Sequence, residues 1–88
     1  MPTVVVIYGW RLFFYSNENN EPVHVHCGKG EAECKYWLDT EIFELREAGA
    51  RNLTPALNRE IRRIIFSNFD LIIEEWNRHF GSSDCADN

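Results

Sequence analysis

The sequence predicts an α+β domain in which an antiparallel sheet of about five strands packs against one long C-terminal helix. Two runs rich in β-branched and aromatic residues flank Gly9-Trp10, and two further strand-like runs flank Gly28-Lys29-Gly30, which indicates two successive β-hairpins. Apolar side chains recur every three or four positions from residue 55 to residue 80, which indicates the helix. The 88 residues are expected to form one domain over 1–81, followed by a polar tail over 82–88.

The first hairpin is predicted from two apolar runs, residues 3–8 and 11–16, on either side of Gly9-Trp10. With this dipeptide as the loop, successive side chains point to opposite faces of the hairpin. One face carries Val5, Ile7, Leu12 and Phe14, and the opposite face carries Val4, Val6, Tyr8, Arg11, Phe13 and Tyr15. Both sets are largely apolar, so one is expected to pack on the helix and the other to need a second cover, such as a partner chain.

The second hairpin spans residues 23–38, where the hydrophobic pattern favours a two-residue loop at Lys29-Gly30. In this register Val25 lies opposite Cys34 on an apolar face. The other face pairs two histidines with charged residues, His26 with Glu33 and His24 with Lys35. Both imidazoles are therefore expected to point away from the core.

A fifth strand and the helix complete the predicted fold. Apolar and charged residues alternate over Ile42–Arg46, as in a strand. Thr54 suits the N-cap of the helix, and Pro55 suits its first position. The apolar stripe keeps one phase across Ser67-Asn68, which favours one helix over two. At roughly 26 residues this helix would be ~39 Å long, so its far end is expected to extend past the sheet as a second contact surface.

Charge is unevenly distributed along the chain. The net charge of −5 disfavours nonspecific nucleic-acid binding as the main activity. Five arginines nevertheless stand between residues 46 and 63, against two glutamates. Four of them are candidates for contacts with an acidic protein or a phosphate backbone, namely Arg51, Arg59, Arg62 and Arg63. The alternative for these arginines is an ordinary solvated helix face.

Cysteine usage and hydropathy indicate a reduced, cytoplasmic protein. The three cysteines, Cys27, Cys34 and Cys85, are an odd number and match no zinc-binding spacing. The predicted register does not place Cys27 opposite Cys34, so no disulfide is expected between them. No apolar run approaches the ~18 residues needed to span a bilayer, and no secretory signal is recognisable, so no membrane contact is expected.

The polar face of the second hairpin is the candidate catalytic or metal site. His24 and His26 project together because residues two apart on a strand point the same way, and Glu33 and Lys35 lie beside them. Two imidazoles and a carboxylate suit a divalent metal held by His24 and His26, or general acid–base catalysis on a phosphodiester. Further side chains that can reach this face are Arg11, Tyr15, Glu18 and Glu21. The alternative is a set of polar cross-strand neighbours that binds no cofactor.

Aromatic residues on the predicted strands have two alternative roles. Four of them are candidate stacking platforms for nucleic-acid bases, namely Phe13, Tyr15, Tyr36 and Trp37. Packing in the core is the more usual role of aromatic residues on strands, and it is the favoured interpretation.

Three segments of the chain carry distinctive motifs, FFYSNE at 13–18, EPVHVH at 21–26 and EAECKYWL at 31–38. With further similarity near both ends of residues 1–81, the chain resembles a family of small bacterial proteins, the domain of unknown function 4160 family. One departure is Val23, where many relatives have a second proline. The resemblance implies no settled activity. It does imply a partner, because members are often encoded beside another small protein and have been suspected of forming toxin–antitoxin-like pairs.

These observations favour a small noncatalytic binding or regulatory module that acts through a protein partner or as a homodimer, as one component of a toxin–antitoxin-like pair. The alternative is a small metal- or histidine-dependent ribonuclease-like enzyme that uses the His24/His26 face. A third class, an acidic mimic of nucleic acid, is disfavoured by the arginine-rich segment over residues 46–63.

Overall fold

The computed structural model describes residues 3–15 and 21–81, and within them one antiparallel sheet and a C-terminal helical region confirm the α+β prediction. The strands lie in the sheet in chain order, β1-β2-β3-β4-β5. Their bounds are β1 Thr3–Ile7, β2 Trp10–Phe13, β3 His24–Lys29, β4 Ala32–Asp39 and β5 Glu44–Arg51. Helix α1 spans Pro55–Ser67, α2 spans Phe69–Trp76, and a π-helical turn follows over Asn77–Gly81. The predicted tail over 82–88 lies outside the described residues.

The turn of the first hairpin lies at Tyr8-Gly9, one residue before the predicted loop. Both residues have positive φ angles, 53° and 82°, as a type I′ turn requires. Trp10 is therefore the first residue of β2, where it pairs with Ile7 and is fully buried. The predicted faces are confirmed for Leu12, which lies inside, and for Val6, which remains 65% exposed on the other side. The prediction is wrong for Val4, which packs against the core because the register shifts between Thr3 and Val5.

The register of the second hairpin differs from the prediction by two positions. Its turn is Gly30-Glu31, with Gly30 at φ 59°, because glycine takes a positive φ at the first turn position without steric cost. A slip of two residues keeps every side chain on its predicted face but changes its partner. The observed pairs include His24 with Trp37, His26 with Lys35, Cys27 with Cys34 and Gly28 with Glu33. The predicted pairs of His26 with Glu33 and His24 with Lys35 are therefore wrong.

The prediction of one long helix is also wrong, because Asn68 interrupts the helical region. Its backbone lies at φ −115° and ψ 21°, outside the helical range. The Asn68 side-chain amide donates to the Ile64 carbonyl at 2.9 Å, and the Asn68 carbonyl accepts from the Ile72 amide at 2.9 Å. One residue thus ends α1 and begins α2. Asparagine does this because its side chain competes with the backbone for hydrogen bonds.

The N-terminus of α1 agrees with the sequence. Thr54 Oγ1 accepts a hydrogen bond from the Leu57 amide at 3.1 Å, and Pro55 occupies the first turn. The predicted fifth strand begins at Glu44 rather than Ile42 and continues to Arg51. Residues 40–43 form the preceding turn, in which Phe43 takes a φ of 56°.

The helices cover one side of the sheet, here called the inner face, and the opposite side is the outer face. The buried residues of the inner face and helices are Trp10, Leu12, Phe14, Val25, Cys27, Ala32, Cys34, Tyr36, Leu38, Leu45, Ile61, Ile64, Ile65, Phe69, Ile72 and Trp76. None of the helices in the described ranges has the length and hydropathy to cross a membrane. The predicted stacking role of Tyr36 does not fit its place, because its ring is buried under α1 and its hydroxyl donates to Asn58 Oδ1.

One carboxylate fixes α1 over the sheet. Glu60 Oε1 accepts from the Trp10 indole Nε1 at 2.9 Å and from Lys29 Nζ at 3.1 Å. Both hydrogen bonds lower the pKa of Glu60, and the bond from the Trp10 indole has the larger effect. The polar bonds give α1 a defined position over β2 and β3, which apolar packing alone leaves less specific.

Candidate functional site

His24 is buried, contrary to the prediction that both imidazoles face away from the core. Its exposed fraction is 0%, and Nδ1 lies 2.9 Å from the Pro22 carbonyl oxygen. Because a carbonyl can only accept, Nδ1 carries a proton in this hydrogen bond. The rings of Trp37 and Trp76 lie 5.0 and 5.1 Å from the His24 ring, centroid to centroid. The burial comes from α2, whose last residue, Trp76, reaches the first residue of β3.

His26 lies on the outer face, half-buried among aromatic rings. Its ring stacks on Phe13 at a centroid distance of 5.5 Å and an interplanar angle of 22°. Tyr15 contacts it edge-on at 4.6 Å, and the His24 ring lies 5.2 Å away. The predicted neighbourhood of the two histidines is therefore confirmed, although only His26 is accessible from the outer face.

Lys35 lies beside the two histidines, whereas Glu33 lies elsewhere on the strand. Lys35 pairs across the strands with His26, and its ammonium lies 4.5 Å over the Trp37 ring. Glu21, from the loop before β3, places Oε1 3.6 Å from Lys35 Nζ and 3.7 Å from His24 Nε2. Among the residues that the structure describes, the carboxylate beside His24 is thus that of Glu21.

Glu33 lies opposite Gly28 and forms an ion pair with Arg51 at 2.9 Å. The two-position slip in register moved Glu33 away from His26. Its predicted role beside the imidazoles is therefore wrong.

A metal site has few ligands to draw on here. Within residues 3–15 and 21–81, no group of three or more His, Cys, Asp or Glu side chains is placed to hold a metal ion. His24 already uses Nδ1 for the Pro22 carbonyl. The hypothesis of a divalent metal at His24 and His26 therefore has no third ligand in that part of the chain.

A groove of about 630 Å³, here called the outer groove, lies on the outer face over β3 and β4. Gly28 and Gly49 lie on the outer face of β3 and β5, and their missing side chains keep the groove open. The other side chains that line it include Arg11, Phe13, Tyr15, His26, Glu33, Lys35 and Arg51. The sequence prediction missed the two glycines, and their signal was glycine at outward positions within strands.

The four candidate arginines lie on different surfaces. Arg51 lines the outer groove. Arg59 and Arg63 line a second groove of about 650 Å³, here called the edge groove, between α1 and the end of β1. Arg62 lies 5.7 Å over the Tyr36 ring and 5.8 Å over the Phe66 ring. These four described arginines do not form a single basic patch, because Arg51 lies on β5 and neighbouring positions on α1 point in different directions.

β1 forms one edge of the sheet, and its side chains after Thr3 are apolar. Val6 is 65% exposed and Tyr8 is 74% exposed. Ile42, in the turn between β4 and β5, is 63% exposed. An apolar edge of this kind is uncommon in soluble proteins, which usually place charges or proline there.

Cys27 and Cys34 lie directly opposite each other on β3 and β4, both reduced and buried in the core. The predicted register separated them, and that prediction is wrong. The hydrogen bond with Cys34 and burial both raise the pKa of the Cys27 thiol. The two thiols therefore behave as core side chains.

The model of one protein family, described as "Domain of unknown function (DUF4160)", matches residues 9–77. The match includes β2 to β5, both helices and every residue that lines the outer groove. No curated protein and no solved structure matches the chain.

Proposed function

Because the chain belongs to the DUF4160 family, which is described only as a domain of unknown function, we propose its function from its surfaces: it is a small noncatalytic binding module that acts through a protein partner. The observation that carries the proposal is the edge strand β1. Its five residues, TVVVI, carry no charge, and they end in the exposed Tyr8. An added strand from a partner would satisfy the backbone groups at this edge and cover Val6.

The charged residues beside the β1 edge indicate what kind of partner segment would bind there. Arg59 and Arg63 line the edge groove together with Ile7, Tyr8 and Glu60, and Glu60 is already paired with Lys29, so a strand that pairs with β1 passes beside two arginines. An acidic partner segment complements them. A second copy of this chain fits less well, because its own β1 has no carboxylate to offer. We therefore propose a different protein, with an extended and acidic segment, as the occupant of this edge.

A regulatory role in a two-component pair is the finer part of the proposal. The gene neighbourhoods associated with this family support a dedicated partner, as in a toxin–antitoxin-like pair. The two reduced, buried thiols fit a cytoplasmic protein. The histidine-dependent ribonuclease-like alternative has less support, because His24 is fully buried and its Nδ1 is bonded to the main chain.

The test is co-purification of the tagged chain with the product of the adjacent gene, followed by a titration to measure affinity. Val6→Lys places a charge on the β1 edge and is expected to weaken binding by at least about tenfold. Ile42→Lys is the matched control, because Ile42 has nearly the same exposure, 63% against 65%, and lies away from β1. It is expected to bind as the wild type does.

Two results would overturn the proposal. One is an adjacent gene product that binds equally well to the wild type and to the Val6→Lys variant. The other is a symmetric homodimer, measured by light scattering, that Val6→Lys dissociates, because a second copy would then occupy the edge.

A further inference from the structure

The floor of the outer groove is open because two strand residues have no side chain. A Cβ on Gly49 would meet no atom within 4 Å, and one on Gly28 would meet only the Ala32 carbonyl oxygen, at 4.0 Å. Neither glycine has a positive φ, so the backbone does not require glycine at either position. Glycine in a strand interior weakens the sheet and often marks a place where a ligand approaches the backbone.

Aromatic rings form one wall of the outer groove. Phe13 and His26 are nearly parallel, and Tyr15 meets both rings edge-on, at 5.4 and 4.6 Å. All three side chains line the groove, and Tyr15 is the most exposed of them. Planar bases stack on such rings with little dependence on base identity, since every base has a π face.

Cations stand around the same groove. Arg11 lies 4.7 Å over the Phe13 ring and donates from Nε to Thr3 Oγ1 at 3.1 Å. Within residues 3–15 and 21–81 it forms no ion pair with a carboxylate, whereas Lys35 and Arg51 each do. A guanidinium above an aromatic ring at the mouth of a groove is well placed for a phosphate.

We infer that the outer groove binds a nucleotide unit, either free or within a single-stranded nucleic acid. The base stacks against Tyr15 and His26, the phosphate contacts Arg11, and the glycine floor admits the sugar. The volume of about 630 Å³ is within the range of small-ligand sites. The net charge of −5 repels polyanions, so binding is weak and sensitive to salt. No β1 residue lines the groove, although Arg11 is paired with Val6 of β1, and neither proposal depends on the other.

The test is an NMR titration of the 15N-labelled chain with uridine monophosphate and with an eight-residue oligouridylate. Both probes are expected to shift the amide signals of Gly28 and Gly49. Equal affinity for the two probes identifies a free nucleotide as the ligand, and about tenfold tighter binding of the oligonucleotide identifies a single strand. With one phosphate bound at Arg11, log K is expected to fall with log salt at a slope of about −0.7.

Two variants and one control locate the site. Gly28→Val fills the groove without a change of charge and is expected to weaken binding by at least about tenfold, with an unchanged or higher Tm because valine favours strands. Arg11→Gln is expected to weaken binding about fivefold or more through the lost phosphate contact. Arg46→Gln is the matched control, because Arg46 lies on β5 outside the groove and pairs with Asp39 at 3.3 Å.

Three results would overturn the inference. The first is that neither nucleotide probe shifts the two glycine signals. The second is that an octaglutamate peptide produces the same shifts, which would show general anion binding. The third is that Arg46→Gln weakens binding as much as Arg11→Gln does. Gly28→Val lies on β3, away from β1, and is expected to bind the protein partner as the wild type does, so failure at the groove is distinguishable from failure at the β1 edge.

Discussion

Replacing His24 by alanine is expected to destabilise the fold much more than replacing His26 by alanine, although the two residues belong to one HxH motif. His24 is fully buried between Trp37 and Trp76 and bonds to the Pro22 carbonyl oxygen. His26 is half-buried on the outer face. The comparison therefore separates a structural histidine from an accessible one.

The magnitudes follow from these contacts. Truncation of a large core side chain to alanine costs about 2–5 kcal/mol, and a lost hydrogen bond adds about 1 kcal/mol. Pro22 is exposed, so water replaces the imidazole at its carbonyl, and we expect a loss of about 3 kcal/mol for His24→Ala. His26→Ala loses the ring contacts with Phe13 and Tyr15, for which we expect about 1 kcal/mol. For a domain of this size, 3 kcal/mol corresponds to a decrease in Tm of about 12–24 °C.

The assay is urea unfolding of both variants, followed by circular dichroism at a wavelength that reports on the helices. Circular dichroism is preferred to tryptophan fluorescence, because His24 contacts two tryptophans and its loss alters their emission directly. A free energy of unfolding for His24→Ala within 1 kcal/mol of that for His26→Ala would refute the reasoning. The His24 ring would then not be part of the core.

Two further predictions concern titratable groups. The pKa of Glu60 is lowered by the Trp10 indole and by Lys29, so its contribution to stability is present above its ordinary pKa of about 4.3 and is lost as the pH falls through the lower folded value. In Glu60→Gln this part of the pH dependence, measured by urea unfolding between pH 2 and 6, is expected to disappear; an unchanged profile would contradict the assignment. The raised pKa of Cys27 and the burial of Cys27 and Cys34 predict that iodoacetamide labels both thiols far more slowly in buffer than in urea, as measured by peptide mass mapping. Equal rates would contradict their burial.

The faces of both hairpins could be predicted from sequence, apart from Val4 at the irregularity in β1, because alternation along a strand is a local property. The register of the second hairpin could not, since a slip of two residues leaves the inner and outer sets unchanged. The conformation of Gly30 decided between the alternatives, with a positive φ that places it first in the turn. That slip placed Glu33 opposite Gly28 and brought Cys27 opposite Cys34, whereas the ion pair of Glu33 with Arg51 follows from the register of β4 with β5.

The burial of His24 was beyond a sequence prediction because its cause is distant in the chain. Trp76, 52 positions later, closes over the first residue of β3. The break at Asn68 could not be predicted for a different reason. Both helices bury the same apolar stripe, and the phase of this stripe continues across Asn68. The distribution of the arginines over different surfaces could not be predicted either. The position of α1 over the sheet, which Glu60 helps to fix, decides which arginines line the edge groove.

The order of the strands has a consequence for synthesis. Each strand pairs with the one made just before it, so the whole sheet can assemble while the chain leaves the ribosome. The helices are made after the sheet, and until they dock, the inner face of the nascent sheet exposes Trp10, Phe14, Val25 and their neighbours to water. A chain that ends before Pro55 would therefore keep this apolar surface exposed and would be prone to aggregate.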